Sequence, residues 1–182
     1  MPDFAIVDLF NIDTSKKKEK LQNATNKLFN KLSVDFPVNF EDICEVNRSK
    51  LGRYVDIIVY RAILLSVVKY LGFNALSKLY CAGADFGKRL GVKSIDEMIE
   101  CFKSLKIGIP KLVSEDPIKI RIYECSFCSG LPNVGKAICH FEGGIIRGCL
   151  EEILNKKIKV VETKCCANGH DYCEFMAYPI RG

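Results

Sequence analysis

Between Val55 and Leu71 the chain is apolar almost without a break: Val55, Ile57, Ile58, Val59, Ala62, Ile63, Leu64, Leu65, Val67 and Val68 leave no broad polar stripe at helical period. Only a bilayer or a protein interior accepts such a segment. Asp56, Arg61 and Lys69 decide between them, because each charge at bilayer depth costs roughly 2.5–3.5 kcal/mol on insertion scales. The segment therefore reads as a soluble helix, Tyr54 to about Leu71, enclosed by its own core, by a second subunit, or as the wall of an apolar ligand cavity. No membrane span is expected.

At 182 residues the chain has the length of one domain, taken here as 1–182, and its 48% hydrophobic and 27% charged residues exclude long disorder, collagen-like repeats and a coiled coil. The net charge of +5 comes from twenty Lys and seven Arg with no aromatic-interleaved basic motif, so no direct nucleic-acid binding is expected. Met1-Pro2-Asp3-Phe4 does not open a secretory signal, which points to the cytoplasm. In a reducing compartment the ten cysteines are expected to serve metals or chemistry where they cluster, and to act as small hydrophobes where they stand alone.

Along the chain, Ser15 caps an expected helix to about Leu32 whose Lys16, Lys17, Lys18 and Lys20 read as a solvated face. Residues 36–53 read as a connection with room for one short helix. A helix from about Ala75 to Leu90 follows, with Asn74 as its cap, and its Gly83 and Gly87, four apart, permit close approach of another element. Ser94-Ile95-Asp96-Glu97 has capping-box spacing ahead of Met98, Ile99, Phe102 and Leu105, and Gly108 and Pro110 end that segment. Beyond it the texture changes. Ile118, Ile120 and Ile122 alternate with Lys119, Arg121 and Tyr123 as in a half-buried strand. A strand around Ala137–Phe141, a helix from about Ile145 to Asn155 and strands Lys157–Lys164 and Tyr172–Tyr178 complete the reading. Helices first and sheet last give an α+β fold, a helical part about 15–106 packed on a mainly antiparallel twisted sheet about 118–180.

Gly130-Leu131-Pro132-Asn133-Val134-Gly135-Lys136-Ala137 imitates a phosphate loop, but Ala137 stands where the magnesium-ligating hydroxyl belongs, and too little chain follows to build a nucleotide fold. With two histidines and no nucleophile elbow, no catalytic residues are assigned. The cysteines carry more. Cys165 and Cys173 bracket a seven-residue loop containing Asn168-Gly169, between two expected strands, so a hairpin returns both thiols to one place. A metal, buried free thiols and a disulfide all fit that return. For a metal, Glu162 offers an oxygen from the same strand, provided the strand bends, because i and i+3 lie on opposite faces. The remaining ligand is open among Cys139, Cys149, Cys125, Cys128, His140 and His170.

The run Cys139, Gly143-Gly144, Gly148, then Val160-Val161-Glu162-x-x-Cys165-x-x-x-Gly169-x-x-x-Cys173-x-Phe175 resembles the closing motif of the 4-vinyl reductase domain family. The resemblance implies a zinc held by Cys139, Glu162, Cys165 and Cys173, with Cys125-x-x-Cys128 outside that pattern and assigned either an auxiliary metal or redox role or that of loop thiols. Four protein ligands would close the shell, making the zinc structural. It further implies a fold related to transport-particle subunits, a homodimer, and a cavity for a small hydrocarbon-like or aromatic ligand, as in phenol-sensing regulators. Ile63, Val67 and Tyr70 are candidates for its wall. The alternatives are an assembly subunit and, less in keeping with the absence of a hydride-donor site, a vinyl reductase or accessory factor in tetrapyrrole synthesis.

Overall fold

The computed structural model describes residues 40–180, and the helix expected from Ser15 to Leu32, with its lysine cluster, lies outside them. The chain divides into a unit of residues 1–43 and a unit of residues 44–182. Of the first, only the opening of a short helix, α1 (Phe40–Cys44), is described.

In the second unit, Asp56 caps helix α2 (Ile57–Leu71) by accepting a hydrogen bond from Ile58 N at 2.8 Å. Helix α3 (Asn74–Arg89) begins without a side-chain cap; Asn74 is its first residue rather than its N-cap, and Phe73 holds the cap position. Helix α4 (Ile95–Ser104) starts as its capping residues predict: Ser94 Oγ accepts from Glu97 N at 3.1 Å, and Glu97 Oε2 accepts from Lys93 N at 2.7 Å. Strands β1 (Ile109–Glu115) and β2 (Ile118–Tyr123), helix α5 (His140–Leu154) and strands β3 (Ile158–Lys164) and β4 (Cys173–Pro179) follow.

The four strands form one antiparallel sheet in the order β1-β2-β4-β3, with helices α4 and α5 packed against it. Ile120, Ile122, Ile158, Val160, Phe175 and Ala177 fill the space beneath Met98, Phe102, Ile145, Ile146 and Leu150. The architecture is the α+β arrangement expected. Two elements differ from expectation. The sequence pattern does not anticipate strand β1, because Pro110 interrupts it; as an edge strand β1 tolerates the missing amide. The strand expected at Ala137–Phe141 is absent, and α5 begins at His140, about a turn and a half earlier than Ile145. Gly143, Gly144 and Gly148 suggest a break when read as sequence. In the structure they are the surface on which α5 meets α3, and backbone contact compensates their low helix propensity.

Helix α2 also departs from its reading. Of its residues only Leu64 is buried, while Ile58 is 70% exposed, Ile63 61% and Tyr70 76%. Enclosure by this chain's own core is therefore not its state in the described unit. No helix among the described residues is long and apolar enough to cross a membrane.

Candidate metal centre and adjoining pocket

Cys139 closes the loop entering α5, Cys165 ends β3 and Cys173 opens β4; all three thiols are fully buried. Between Cys165 and Cys173 the chain makes a 3-10 turn at Cys166–Asn168, and Gly169 takes φ +93°, the left-handed turn position that the Asn-Gly pair predicts. Asn168 Oδ1 accepts from Cys165 N at 3.2 Å and Val134 N donates to Ala167 O at 2.7 Å, tying the turn to the loop that precedes α5. The bend required for Glu162 and Cys165 to share a face is present, as a register shift between Glu162 and Lys164.

The ligand atoms of Cys139, Glu162, Cys165 and Cys173 all lie within 4.8 Å of one another. Cys139 Sγ is 3.7 Å from Cys165 Sγ and 3.6 Å from Cys173 Sγ. Thiolates at about 2.3 Å from a tetrahedral zinc stand roughly 3.8 Å apart, so these separations suit such an ion. Glu162 Oε2 accepts from Cys139 N at 2.9 Å, whereas Oε1 is buried without a hydrogen-bond partner, an arrangement that costs free energy unless a cation or proton meets it. Burial first, and then the neighbouring Cys165 thiol, push the Glu162 carboxyl up to about 10.

Cys125 and Cys128 belong to the same cluster. Pairing of Ile122 with Cys173 sets the end of β2 beside the start of β4, so the chain leaving β2 delivers Cys125 Sγ to 3.6 Å from Cys139 Sγ and Cys128 Sγ to 3.2 Å from Cys173 Sγ. The Cys128 thiol is raised by its hydrogen bond with Cys125, but those with Cys139, Cys165 and Cys173 outweigh this and hold it at about 4; Cys139, hydrogen-bonded to all of its neighbours, is raised. Thiolate character on some members and retained protons on others is what confined, mutually hydrogen-bonded thiols do before a metal takes the protons' place. Of the other candidates, Cys149 is buried against Gly87 O, His140 is half-buried with Nδ1 unpartnered, and His170 is exposed.

A pocket of about 690 Å³ adjoins the cluster, with Val55, Ile57, Tyr60, Phe86, Leu105, Ile107 and Phe141 as its apolar wall, Arg53, Tyr54 and Lys106 completing its rim, and Ser126, next to Cys125, as its link to the thiols. Tyr60 OH donates to Glu142 Oε1 at 3.4 Å, and Glu142 is fully buried with Oε2 unpartnered. Burial chiefly raises the Glu142 carboxyl, to about 7. Ile63, Val67 and Tyr70 do not line this pocket; the wall is drawn from the N-terminal end of the same helix. No sequence signal marks this wall, because its residues come from 53–60, 86, 105–107, 126 and 141.

Sheet, helix and thiol cage together define an α+β domain whose cysteine core is able to hold a metal beside an apolar pocket. Residues 118–179 match the model of the 4-vinyl reductase domain. The chain is 42% identical over 127 residues to uncharacterized protein MJ1642 of Methanocaldococcus jannaschii, covering 69% of this chain and 79% of that protein, and 36% identical over 134 residues to MJ0150 of the same organism. It belongs to the 4-vinyl reductase domain family. Among solved structures it is similar to a vinyl-4-reductase family protein from M. jannaschii, with 26% identity and a TM-score of 0.62 over 82% of this chain and 100% of that one. The phenol-responsive sensory domain of the transcription activator PoxR with phenol (16% identity, TM-score 0.56, 69% of this chain, 75% of that one) shares the fold. So does a trafficking protein particle complex subunit 3 from Naegleria fowleri covalently bound to palmitic acid (17% identity, TM-score 0.51, 69% and 93%).

Proposed function

We propose that the protein is a small-molecule binding or sensing module without catalysis of its own, in which a structural zinc held by Cys139, Glu162, Cys165 and Cys173 stabilises the wall of a pocket for a hydrocarbon-like or aromatic ligand. The observation that carries this reading is the position of the 690 Å³ apolar pocket against the thiol cluster, joined to it through Ser126 and Tyr60–Glu142. Two proteins of this fold hold phenol and palmitic acid, molecules of the class such a lining accepts. Zinc chemistry suits the donors: soft thiolates with one carboxylate, and no position kept for water. All ten cysteines are free thiols, which fits the cytoplasm as the compartment.

Titration calorimetry with phenol and with a medium-chain fatty acid tests the pocket. Ile57→Arg, which places a charge in the apolar wall at a position already 44% exposed, is expected to weaken binding of the favoured ligand at least tenfold, about 1.4 kcal/mol, while leaving the melting temperature nearly unchanged. Failure of both ligand classes to bind the unmodified protein would remove the binding-module reading.

The exposed apolar face of α2 favours a second component of the proposal, a homodimer formed through Ile58, Ile63 and Tyr70. Light scattering coupled to size exclusion is expected to give twice the chain mass, and the Ile58→Glu/Ile63→Glu variant the mass of one chain. If the dimer forms while no ligand binds, the protein is an assembly subunit instead.

A further inference from the structure

We propose that the cysteine cluster holds two metal ions, the second bound by Cys125 and Cys128, with Cys139 and Cys173 bridging the pair. The inference deepens the metal-centre reading above and rests on it. The donors fall into two quartets, Cys125/Cys128/Cys139/Cys173 and Cys139/Glu162/Cys165/Cys173, each with all its ligand atoms within 4.8 Å of one another. Both quartets contain Cys139 and Cys173, whose sulfurs are 3.6 Å apart. Two four-coordinate ions that share one edge require six donors, four terminal and two bridging, and six are present. A single tetrahedral ion would use four and leave two buried donors over.

Charge points the same way. Five thiolates and one carboxylate carry six negative charges; one divalent ion leaves four uncompensated in a buried core, two leave two. Neighbouring groups do little to offset the remainder. Glu142 adds a further buried carboxyl with an unpartnered oxygen, and the Lys164 ammonium donates to Tyr172 OH at 3.1 Å. The guanidinium of Arg61 donates to Ser126 O and Ser129 O, both at 2.7 Å. That clamp has a second consequence. It fixes the Cys125–Ser129 turn, itself closed by Ser129 N to Cys125 O at 3.0 Å, so that its two thiols reach opposite ends of the shared edge, Cys125 at Cys139 and Cys128 at Cys173. A loop of idle thiols needs no such placement.

The test uses the full chain, stripped of metal under reducing conditions, saturated with zinc and weighed by native mass spectrometry with elemental analysis as a check. Two zinc ions per chain are expected in the unmodified protein, one in Cys125→Ser/Cys128→Ser and one in Glu162→Gln/Cys165→Ser, since either change leaves one complete half together with the bridging pair. Cadmium-113 loading is expected to give two resonances in the unmodified protein and one in each variant. One zinc per chain at saturation overturns the second ion and leaves the single-metal reading standing; none overturns both. Should the Cys125/Cys128 variant fail to fold, the count in the unmodified protein and in Glu162→Gln/Cys165→Ser decides the matter.

Discussion

Stripped of its metal by a strong chelator, the protein is expected to lose its cooperative thermal transition, or to melt tens of degrees lower, and Cys173→Ser is expected to do the same in metal-replete buffer. Structural zinc in small domains contributes about 10–16 kcal/mol of apparent binding free energy near neutral pH, and a domain of ordinary size is stable by only about 5–15 kcal/mol. Here the thiols are the meeting point of the loop after β2, the start of α5, the end of β3 and the start of β4, and Cys125, Cys128, Cys139, Cys165 and Cys173 are themselves fully buried members of the core. Without the ion they become a group of confined polar atoms beside two carboxylates, each with an unpartnered oxygen. The loss is expected to deepen as pH falls, because metal-bound thiolates are depressed relative to the unfolded chain, so their contribution is present at high pH and disappears as protons displace the metal. Circular dichroism melts and amide exchange at Cys173–Pro179, with and without chelator, check this. A melting curve unchanged in fully stripped protein would show that the thiols pack as plain core residues.

The second large effect is expected at Gly144. A Cβ built there falls inside the carbonyl oxygen of Tyr80, and within 2.9 Å of Ala84 N and 3.0 Å of Gly83 Cα, all backbone atoms of α3. Gly83 meets Phe141 O, Gly87 meets Ile145 O and Gly148 meets Ala84 O in the same way, so the two helices touch backbone to backbone through four interlocked glycines. No rotamer change relieves a clash with backbone. Gly144→Ala is therefore expected at or beyond the upper end of the usual 1–3 kcal/mol overpacking cost, lowering the melting temperature by roughly 10 °C, despite alanine's better helix propensity. Cys81→Ala, on the exposed side of α3, is expected to change stability by less than about 0.5 kcal/mol. Equal melting temperatures for the two variants would mean that α3 and α5 do not pack as described. The shift matters for the site too, because α5 carries Phe141 and Glu142 at its first turn and follows directly on Cys139.

Much of this is readable along the chain, and the readable part is local. The spacing of Gly83 and Gly87 announces a close helix contact, Ser94 and Glu97 announce the start of α4, and the alternation from Ile118 to Tyr123 announces β2. The hairpin from Glu162 to Cys173, with its bend and its left-handed Gly169, follows from residues within reach of one another in sequence. The glycines of α5 mislead: their low helix propensity is visible in the sequence, whereas the backbone of α3 that makes them necessary is not. Likewise the run from Val55 to Leu71 states its hydrophobicity but not what covers it.

By itself, then, the sequence determined the kinds of elements, the hairpin that returns two thiols to one place, and the resemblance that nominated Cys139 and Glu162 beside them. Only the tertiary structure brought Cys125 and Cys128 into the cluster and placed the pocket at the first turn of α2 rather than at Ile63, Val67 and Tyr70. The reason is physical. Period and turn chemistry act over a few residues, whereas a cage of donors from positions 125 to 173 and a wall drawn from positions 53 to 141 exist only where strand pairing and helix packing have closed the loops between them.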